Sequence, residues 1–346
     1  MEMLSIYQII WFALWGLLWA VYFMLDGFDL GLGILHIFLG KDDSERRVTI
    51  NTLGPVWDGN EVWLITAGGA TFAAFPTTYA YMFSFLYTPL LIILFSLIFR
   101  GVAFEFRSRL ENKGWRNAWD IIITIASFIA TLLFGVAFGN IFMGLPIDST
   151  GYHGNLFTLL NAYGLLTGLL FLLLFLEHGS LWLSIKTTND LSLRAQNLAK
   201  KLWIILLFVA VLFLAATYFY TQLYNNYLKN PIWFIVPLIA VLSLIFIRIS
   251  MIKCFIGAFF SSCITILSVV FTGIIGLFPN MIPSSISPEF SLTIYNSSSS
   301  LYTLKVMTIV IIIFIPIVLI YQIWNYIVFS KPVTKEDIIN SKGEAY

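Results

Sequence analysis

The sequence predicts an all-α polytopic membrane protein with nine transmembrane helices, its N-terminus outside and its C-terminus inside. Three observations carry that prediction. Of 346 residues, 59% are hydrophobic and 11% charged, with mean hydropathy +0.89, which leaves too little polar surface to cover a soluble globule. Apolar stretches of about 20 residues, enough to cross a bilayer as helices, recur from end to end. The basic residues fall in alternate connecting segments, as the positive-inside rule demands.

The spans lie at roughly 6–38, 52–75, 78–106, 117–145, 156–186, 200–224, 231–248, 254–279 and 303–329. Unbroken apolar runs such as LLIILFSLIF and VIIIFIPIVLI exclude a β-barrel, whose strands alternate apolar and polar positions. Lys41, Arg46 and Arg47 follow span one. Arg100, Arg107, Arg109, Lys113 and Arg116 follow span three. Lys186, Arg194, Lys200 and Lys201 follow span five, Arg248 and Lys253 follow span seven, and Lys331, Lys335 and Lys342 end the chain. All but two of the 19 Lys and Arg therefore share one side, the exceptions being Lys229 and Lys305. An odd span count follows.

The first apolar run lacks a basic leader and continues past any cleavage site, so it is expected to be a retained span and not a signal peptide. The long connecting segments are the basic inside stretch 186–201, read as a loop, and the Ser- and Pro-rich outside stretch 279–300, expected to be non-helical. Cys254 and Cys263 stand about 13 Å apart along one predicted helix, too far for a disulfide. No Cys–His spacing indicates a metal site, and no basic patch with interleaved aromatics indicates nucleic acid.

Residues 1–346 read as a single integral membrane domain. Spans one and five both run from outside to inside and both place an acid beside glycine near the inner end, Asp26-Gly27 and Glu177-His178-Gly179. This indicates a pseudo-repeat of 6–145 and 156–279, two four-helix bundles, with 303–329 as a peripheral helix. Gly27/Gly31, Gly135/Gly139 and Gly164/Gly168 are spaced to let helices approach closely, and packing within the chain is the favoured role.

An ionisable side chain inside a bilayer costs at least about 2.5 kcal/mol on insertion scales, so each needs an account. Asp26 and Asp29 come late in span one; Asp58 and Glu61 come early in span two. All four acids thus belong to the inner half of the membrane, three apart within each pair and so on one helix face. They are expected to form a polar seam open to the inside: either a proton entry path or helix-end charges paired with Arg46, Arg47 or Arg100. For Asp58, flanked by Trp57 and Trp63, the proton role is favoured. Asp120, opening span four, reads as a charge favourable to the helix dipole. Glu177 and His178 read either as a relay pair or as side chains snorkelling to the inner interface. With only His36, His153 and His178, the chain is poorly equipped to ligate several haems.

These residues lie in segments that resemble subunit II of the cytochrome bd-type quinol oxidases. The resemblance rests on DGFDLGLGIL (26–35), SERR (44–47), GPVWDGNEVWLITAGGATFAAFP (54–76), FRGVAFEFRS (99–108), WRNAWD (115–120), FGVAFGN (134–140), FPNMIPSS (278–285) and VTKEDI (333–338). It runs end to end and in order. It implies a respiratory complex of the bacterial or archaeal cytoplasmic membrane that oxidises quinol, reduces oxygen to water and contributes to the proton gradient. The b-type haems and haem d are implied to sit in a partner, subunit I, with which this chain forms an obligate heterodimer. A small accessory subunit, membrane lipid and a structural quinone are further candidate partners, and no catalytic residue or metal ligand is expected in this chain. By the same resemblance Asp58 belongs to the proton path toward the haem site, Asp29 is the acid on the neighbouring helix, and Trp63 lies near the oxygen route. Asp26, Trp57, Asn60 and Arg100 match recurrent positions. Position 61 carries Glu here where the family also has Gln, so Glu61 is counted in the proton path without an assumed titrating role. The rival function is a proton-coupled transporter, for which an acid-lined inner vestibule is equally expected.

Overall fold

The computed structural model describes residues 2–340, with side chains for 5–338; Lys342 lies outside the described residues. In chain order the helices are α1 (Glu2–Leu39), α2 (Asp43–Leu53), α3 (Trp57–Ala74), α4 (Pro76–Phe85), α5 (Tyr87–Phe106), α6 (Lys113–Met143), α7 (Leu156–Leu159), α8 (Ala162–Lys186), α9 (Asn189–Tyr220), α10 (Tyr224–Lys229), α11 (Ile235–Ser250), α12 (Phe255–Leu277), α13 (Ile294–Ser297), α14 (Leu301–Val328) and α15 (Lys335–Asn340). Two hairpins of very short strands interrupt them: β1 (Ile147–Asp148) with β2 (Gly151–Tyr152), and β3 (Asn280–Ile282) with β4 (Leu292–Thr293). The protein is all-α and polytopic: among the described residues, eight helices (α1, α5, α6, α8, α9, α11, α12 and α14) are long and apolar enough to cross a membrane. α3, with 18 residues, is not among the eight because its first turn carries the polar run WDGNE.

Local chemistry explains where helix boundaries depart from the expected spans. The stretch 78–106 is not one helix but α4 and α5, broken at Leu86. Pro89 lies in the first turn of α5, where its missing N–H costs nothing, and its ring would clash with the Phe85 carbonyl in a continuous helix. The stretch 156–186 is likewise divided. Asn155 caps α7 through the Phe157 and Thr158 amides, and Asn161 caps α8 through Gly164 N at 2.8 Å. The basic stretch 186–201 is not a loop, because α9 begins at Asn189 and only Thr187 and Thr188 connect it to α8. The stretch 279–300 contains the β3–β4 hairpin and the single turn α13, so it is largely non-helical as expected.

Contacts define two ends. At the basic end Arg46, Arg107 and Arg116 from successive connections reach Asp43 and Asp120, while Arg194 Nη2 meets Glu45 Oε2 at 2.5 Å. The C-terminal segment straps across this end: Val333 N donates to Lys186 O at 2.8 Å and Lys335 Nζ reaches Asp42 Oδ2 at 2.9 Å. At the opposite end the hairpins meet: Leu145 N donates to Pro283 O, Ser285 N to Leu145 O, and the Phe85 and Tyr152 rings lie 5.2 Å apart.

Between these ends α1 is the hub, packing on α3, α6, α8, α12 and α14. Its Phe23 ring meets Phe138 of α6 at 5.1 Å and Phe171 of α8 at 5.0 Å, both edge-on, the favoured geometry for aromatic quadrupoles. The α1–α8 crossing admits only glycine. A methyl on Gly31 would stand 1.8 Å from the Phe175 carbonyl oxygen, and one on Gly179 would stand 2.6 Å from Leu32 N. A methyl on Gly135 would similarly lie 2.6 Å from the Gly168 Cα, so these small residues serve close packing within the chain. Cys254 and Cys263 are free thiols.

Candidate functional site

Four helices bring the intramembrane polar residues together near the basic end. α1 presents Tyr22, Asp26 and Asp29 on one face, at helical spacings of four and three. α3 presents Asn60, Glu61 and Trp63 from its first two turns, and α5 presents Arg100. Arg100 is fully buried; its Nη1 donates to Glu61 Oε1 at 2.5 Å, and both Nη atoms lie 3.5 Å from Asp26 Oδ1. Tyr22 OH donates to Asp26 Oδ2 at 3.0 Å. The guanidinium also stands over the Phe104 ring at 5.2 Å, a cation–π contact suited to a desolvated site.

Asn60 links this cluster to Asp29. Its Nδ2 donates to Asp29 Oδ2 at 2.7 Å and to Leu25 O at 3.3 Å; its Oδ1 accepts from Tyr326 OH at 2.8 Å and Gln322 Nε2 at 3.3 Å. All four hydrogen-bonding positions of the amide are filled. Gln322 Oε1 in turn accepts from Trp63 Nε1 at 2.8 Å, and Asn325 Nδ2 donates to Pro55 O at 2.8 Å. α14, otherwise exposed along its length, thus supplies a polar stripe that completes the site. Trp57 packs against Phe104 at 5.4 Å, but its Nε1 has no partner among the described residues.

Asp26, Asp29, Asn60, Glu61 and Arg100 therefore meet, and Trp63 adjoins them, but Asp58 does not. Asp58 is exposed and makes no hydrogen bond or ion pair among the described residues; its charge acts on Glu61, but no contact joins it to the seam expected to hold all four acids. Asp120 is not a first-turn charge. It lies in the second turn of α6 and accepts from Arg107 Nε at 2.5 Å, Arg46 Nη1 at 3.0 Å and His36 Nε2 at 3.2 Å. His36 Nδ1 faces Gly33 O at 2.8 Å, so both ring nitrogens meet oxygens. Nor do Glu177 and His178 form a pair: His178 Nδ1 is 2.6 Å from Ser262 Oγ and Nε2 is 3.0 Å from Met24 O, while neither Glu177 oxygen has a partner among the described residues.

Sequence reasoning missed Tyr22, Gln322 and Tyr326. The signal for the last two was available: Gln322, Asn325 and Tyr326 stand at i, i+3 and i+4 in an otherwise apolar span, one polar stripe on one face.

Three carboxyls, Asp26, Asp29 and Glu61, face one guanidinium. Fully ionised, the cluster would bury surplus negative charge, which is costly without partners; such a group is chemically suited to take up protons. Among the described residues no cluster of three or more His, Cys, Asp or Glu could hold a metal ion. The histidines do not fit axial haem ligation either. His36 and His178 are engaged at both nitrogens, and His153 is tied to Asp148 and Thr150 in the β1–β2 loop. Between α1, α3, α4, α5 and α6 lies an apolar cavity of about 520 Å³, walled by Trp19, Leu64, Phe72, Tyr79, Leu94 and Phe134.

Comparison with known proteins places this geometry. The chain is 37% identical to cytochrome bd-I ubiquinol oxidase subunit 2 of Escherichia coli K12, covering 99% of each chain. It is 38% identical to cytochrome bd ubiquinol oxidase subunit 2 of Bacillus subtilis, over 95% of this chain and 97% of that one. Its fold superposes on a chain of the bd oxidase from Geobacillus thermodenitrificans with TM-score 0.77 and 16% identity, covering 94% of this chain and 99% of that one. Residues 7–329 match the family described as cytochrome bd terminal oxidase subunit II. A match over that length sets aside the transporter reading: the chain belongs to the cytochrome bd terminal oxidase subunit II family.

Proposed function

We propose that this chain supports a haem-bearing subunit I in oxidising quinol and reducing oxygen to water, and that its own contribution is proton and oxygen access. The observation that carries the proton role is the Asp26–Glu61–Asp29 triad of carboxyls around the single guanidinium of Arg100. Oxygen reduction consumes protons, and a buried group with more acids than bases can deliver them. Asp58 faces outward from the same helix that presents Asn60 and Glu61, so its carboxyl is available to a partner's surface. Trp63, held by Gln322, lines the adjacent face of α3 and is assigned to the oxygen route. The b and d haems belong to the partner, which the engagement of His36 and His178 supports.

The same reading gives nine spans, with α3 as the ninth beside the eight apolar helices. α1, α3, α5 and α6 form one four-helix bundle, α8, α9, α11 and α12 form the other, and α14 lies at the periphery. The gathering of the basic residues at one end supports an inside location for that end, with the N-terminus outside, in a bacterial or archaeal cytoplasmic membrane. The cavity of about 520 Å³ has walls suited to an isoprenoid tail and is the place assigned to a structural quinone. The test is purification of the membrane complex through this chain, followed by optical spectroscopy and quinol-dependent oxygen uptake. Bands of b and d haems with oxygen uptake are expected; a stable complex without haem contradicts the proposal.

A further inference from the structure

Glu177 is a buried acid that the proposed function does not use. It lies in the interior of α8 at 1% exposure, and among the described residues neither carboxylate oxygen has a hydrogen-bond partner. The adjoining elements offer it little. On α8 itself, His178 is committed to Ser262 and Met24. α12 carries no charged residue, and the acids of α1 are engaged elsewhere, Asp26 by Tyr22 and Arg100 and Asp29 by Asn60. On α6, Asp120 is held by Arg107, Arg46 and His36. From α9, Arg194 pairs with Glu45, and Lys200 stands over the Phe255 ring at 5.9 Å. Arg248 of α11 is the one charge whose field acts on Glu177. Among the described residues it makes no ion pair, however: its Nη1 lies 3.4 Å from Lys200 O and its guanidinium stands over Trp203 at 5.6 Å.

A constant offset explains why an acid stands there. Phe23 and Phe171, Asp29 and Glu177, Gly31 and Gly179, Pro89 and Pro237, and Arg100 and Arg248 are each separated by 148 positions. The pairs are related in space as well as in sequence. Phe23 and Phe171 touch, Gly31 and Gly179 face each other across the α1–α8 crossing, and Pro89 and Pro237 each occupy the third position of their helix, α5 and α11. Under this register Glu177 corresponds to Asp29, not to Asp26, and Arg248 corresponds to Arg100, the guanidinium acting on Asp29. What the second half lacks is any counterpart of Asn60 to donate to the acid.

We propose that Glu177 is a second proton-binding site, the counterpart of Asp29 in the other half of the repeat, and that it holds an exchangeable proton as a neutral carboxylic acid. An ionised carboxylate without a single donor, removed from water, is disfavoured against its protonated form, which leaves only one hydroxyl to satisfy. The inference uses the internal repeat but not the proton path through Asp58.

The test is infrared spectroscopy of the intact membrane complex, parent against Glu177→Gln, in H2O and after equilibration in D2O. A carboxylic-acid carbonyl band in the parent is expected, lost in Glu177→Gln and moved to lower frequency in D2O. Should Glu177→Gln fail to assemble, Glu177→Asp is expected to retain an acid band at a displaced frequency. No acid band lost or displaced in either variant overturns the proposal, as does a band that does not move in D2O. The readout contains no turnover, so its failure leaves the role of Asp58 untouched.

Discussion

Arg100 of α5 donates to Glu61 of α3 at 2.5 Å, and this bond joins two helices by a fully buried guanidinium and a carboxylate that is one-fifth exposed. The same guanidinium reaches Asp26 of α1, so one side chain ties three helices together. Removing it leaves the buried Asp26 carboxyl and the mostly buried Glu61 carboxyl without their cation. Arg100→Gln is therefore expected to cost about 3–5 kcal/mol, the usual penalty for breaking a buried pair. The measurement is the thermal midpoint and haem content of the purified complex. Lys is expected to rescue only in part, because it offers a point charge in place of a fork.

Tyr326→Phe removes one of the two donors to Asn60 Oδ1 and leaves the ring packing in place. A loss of about 1 kcal/mol is expected, read as a small fall in the thermal midpoint. Gln322→Leu should do more, since it also orphans Trp63 Nε1. Its signature is a change in Trp63 environment and faster proteolysis at the ends of α14.

Gly31→Ala or Gly179→Ala forces a methyl into backbone at the α1–α8 crossing. Overpacking of this kind costs about 1–3 kcal/mol and sometimes more, and here no flexible side chain can yield. Loss of assembled complex from the membrane is expected. Gly69→Ala, whose methyl would meet nothing within 4 Å, is the control and is expected to assemble normally.

The strap at the basic end is sensitive to acid and to salt. The hydrogen bond from Lys335 holds the Asp42 carboxyl below its ordinary range and Lys335 above its own. The Asp42 contribution is present above the unfolded-chain value for aspartate and is lost as pH falls through the lowered value. The Lys335 contribution is present below the ordinary lysine range and is lost as pH rises through the raised value. Both groups are about half exposed, so the pair contributes no more than about 1 kcal/mol. Faster hydrogen exchange at residues 335–338 is expected in acid or high salt, and in Lys335→Ala at neutral pH.

The membrane class and most of the acid cluster were legible in the sequence, for physical reasons. Hydropathy reports the solvent, and three-residue spacing puts Asp26 beside Asp29. Depth counted from the basic end brings Asp29 level with Asn60 and Glu61. Helix rotation was not legible. α3 is apolar all round its outer half, so nothing in its pattern says that Asp58 turns outward while Glu61 turns toward Arg100. The break at Leu86 could have been read from Pro89, whereas the start of α9 at Asn189 could not, since its basic first turns resemble a loop. Asp26-Gly27 and Glu177-His178-Gly179 read as corresponding because each sets an acid near a glycine at the inner end of its span. The close approach of Gly31 and Gly179 supports, for the proposed repeat, a register that pairs Asp29 with Glu177.

Asp58, exposed on this chain and without a hydrogen bond or ion pair among the described residues, is the proposed surface end of a proton path whose buried part is the Asp26–Asp29–Glu61 cluster around Arg100. The direct measurement is quinol-dependent oxygen uptake by the complex carrying Asp58→Asn, at haem content equal to the parent. A fall in turnover of roughly tenfold or more, equivalent to about 1.4 kcal/mol in the barrier, is the predicted result. Unchanged turnover with haem intact would contradict the proton role, and loss of haem would make Asp58 an assembly residue instead.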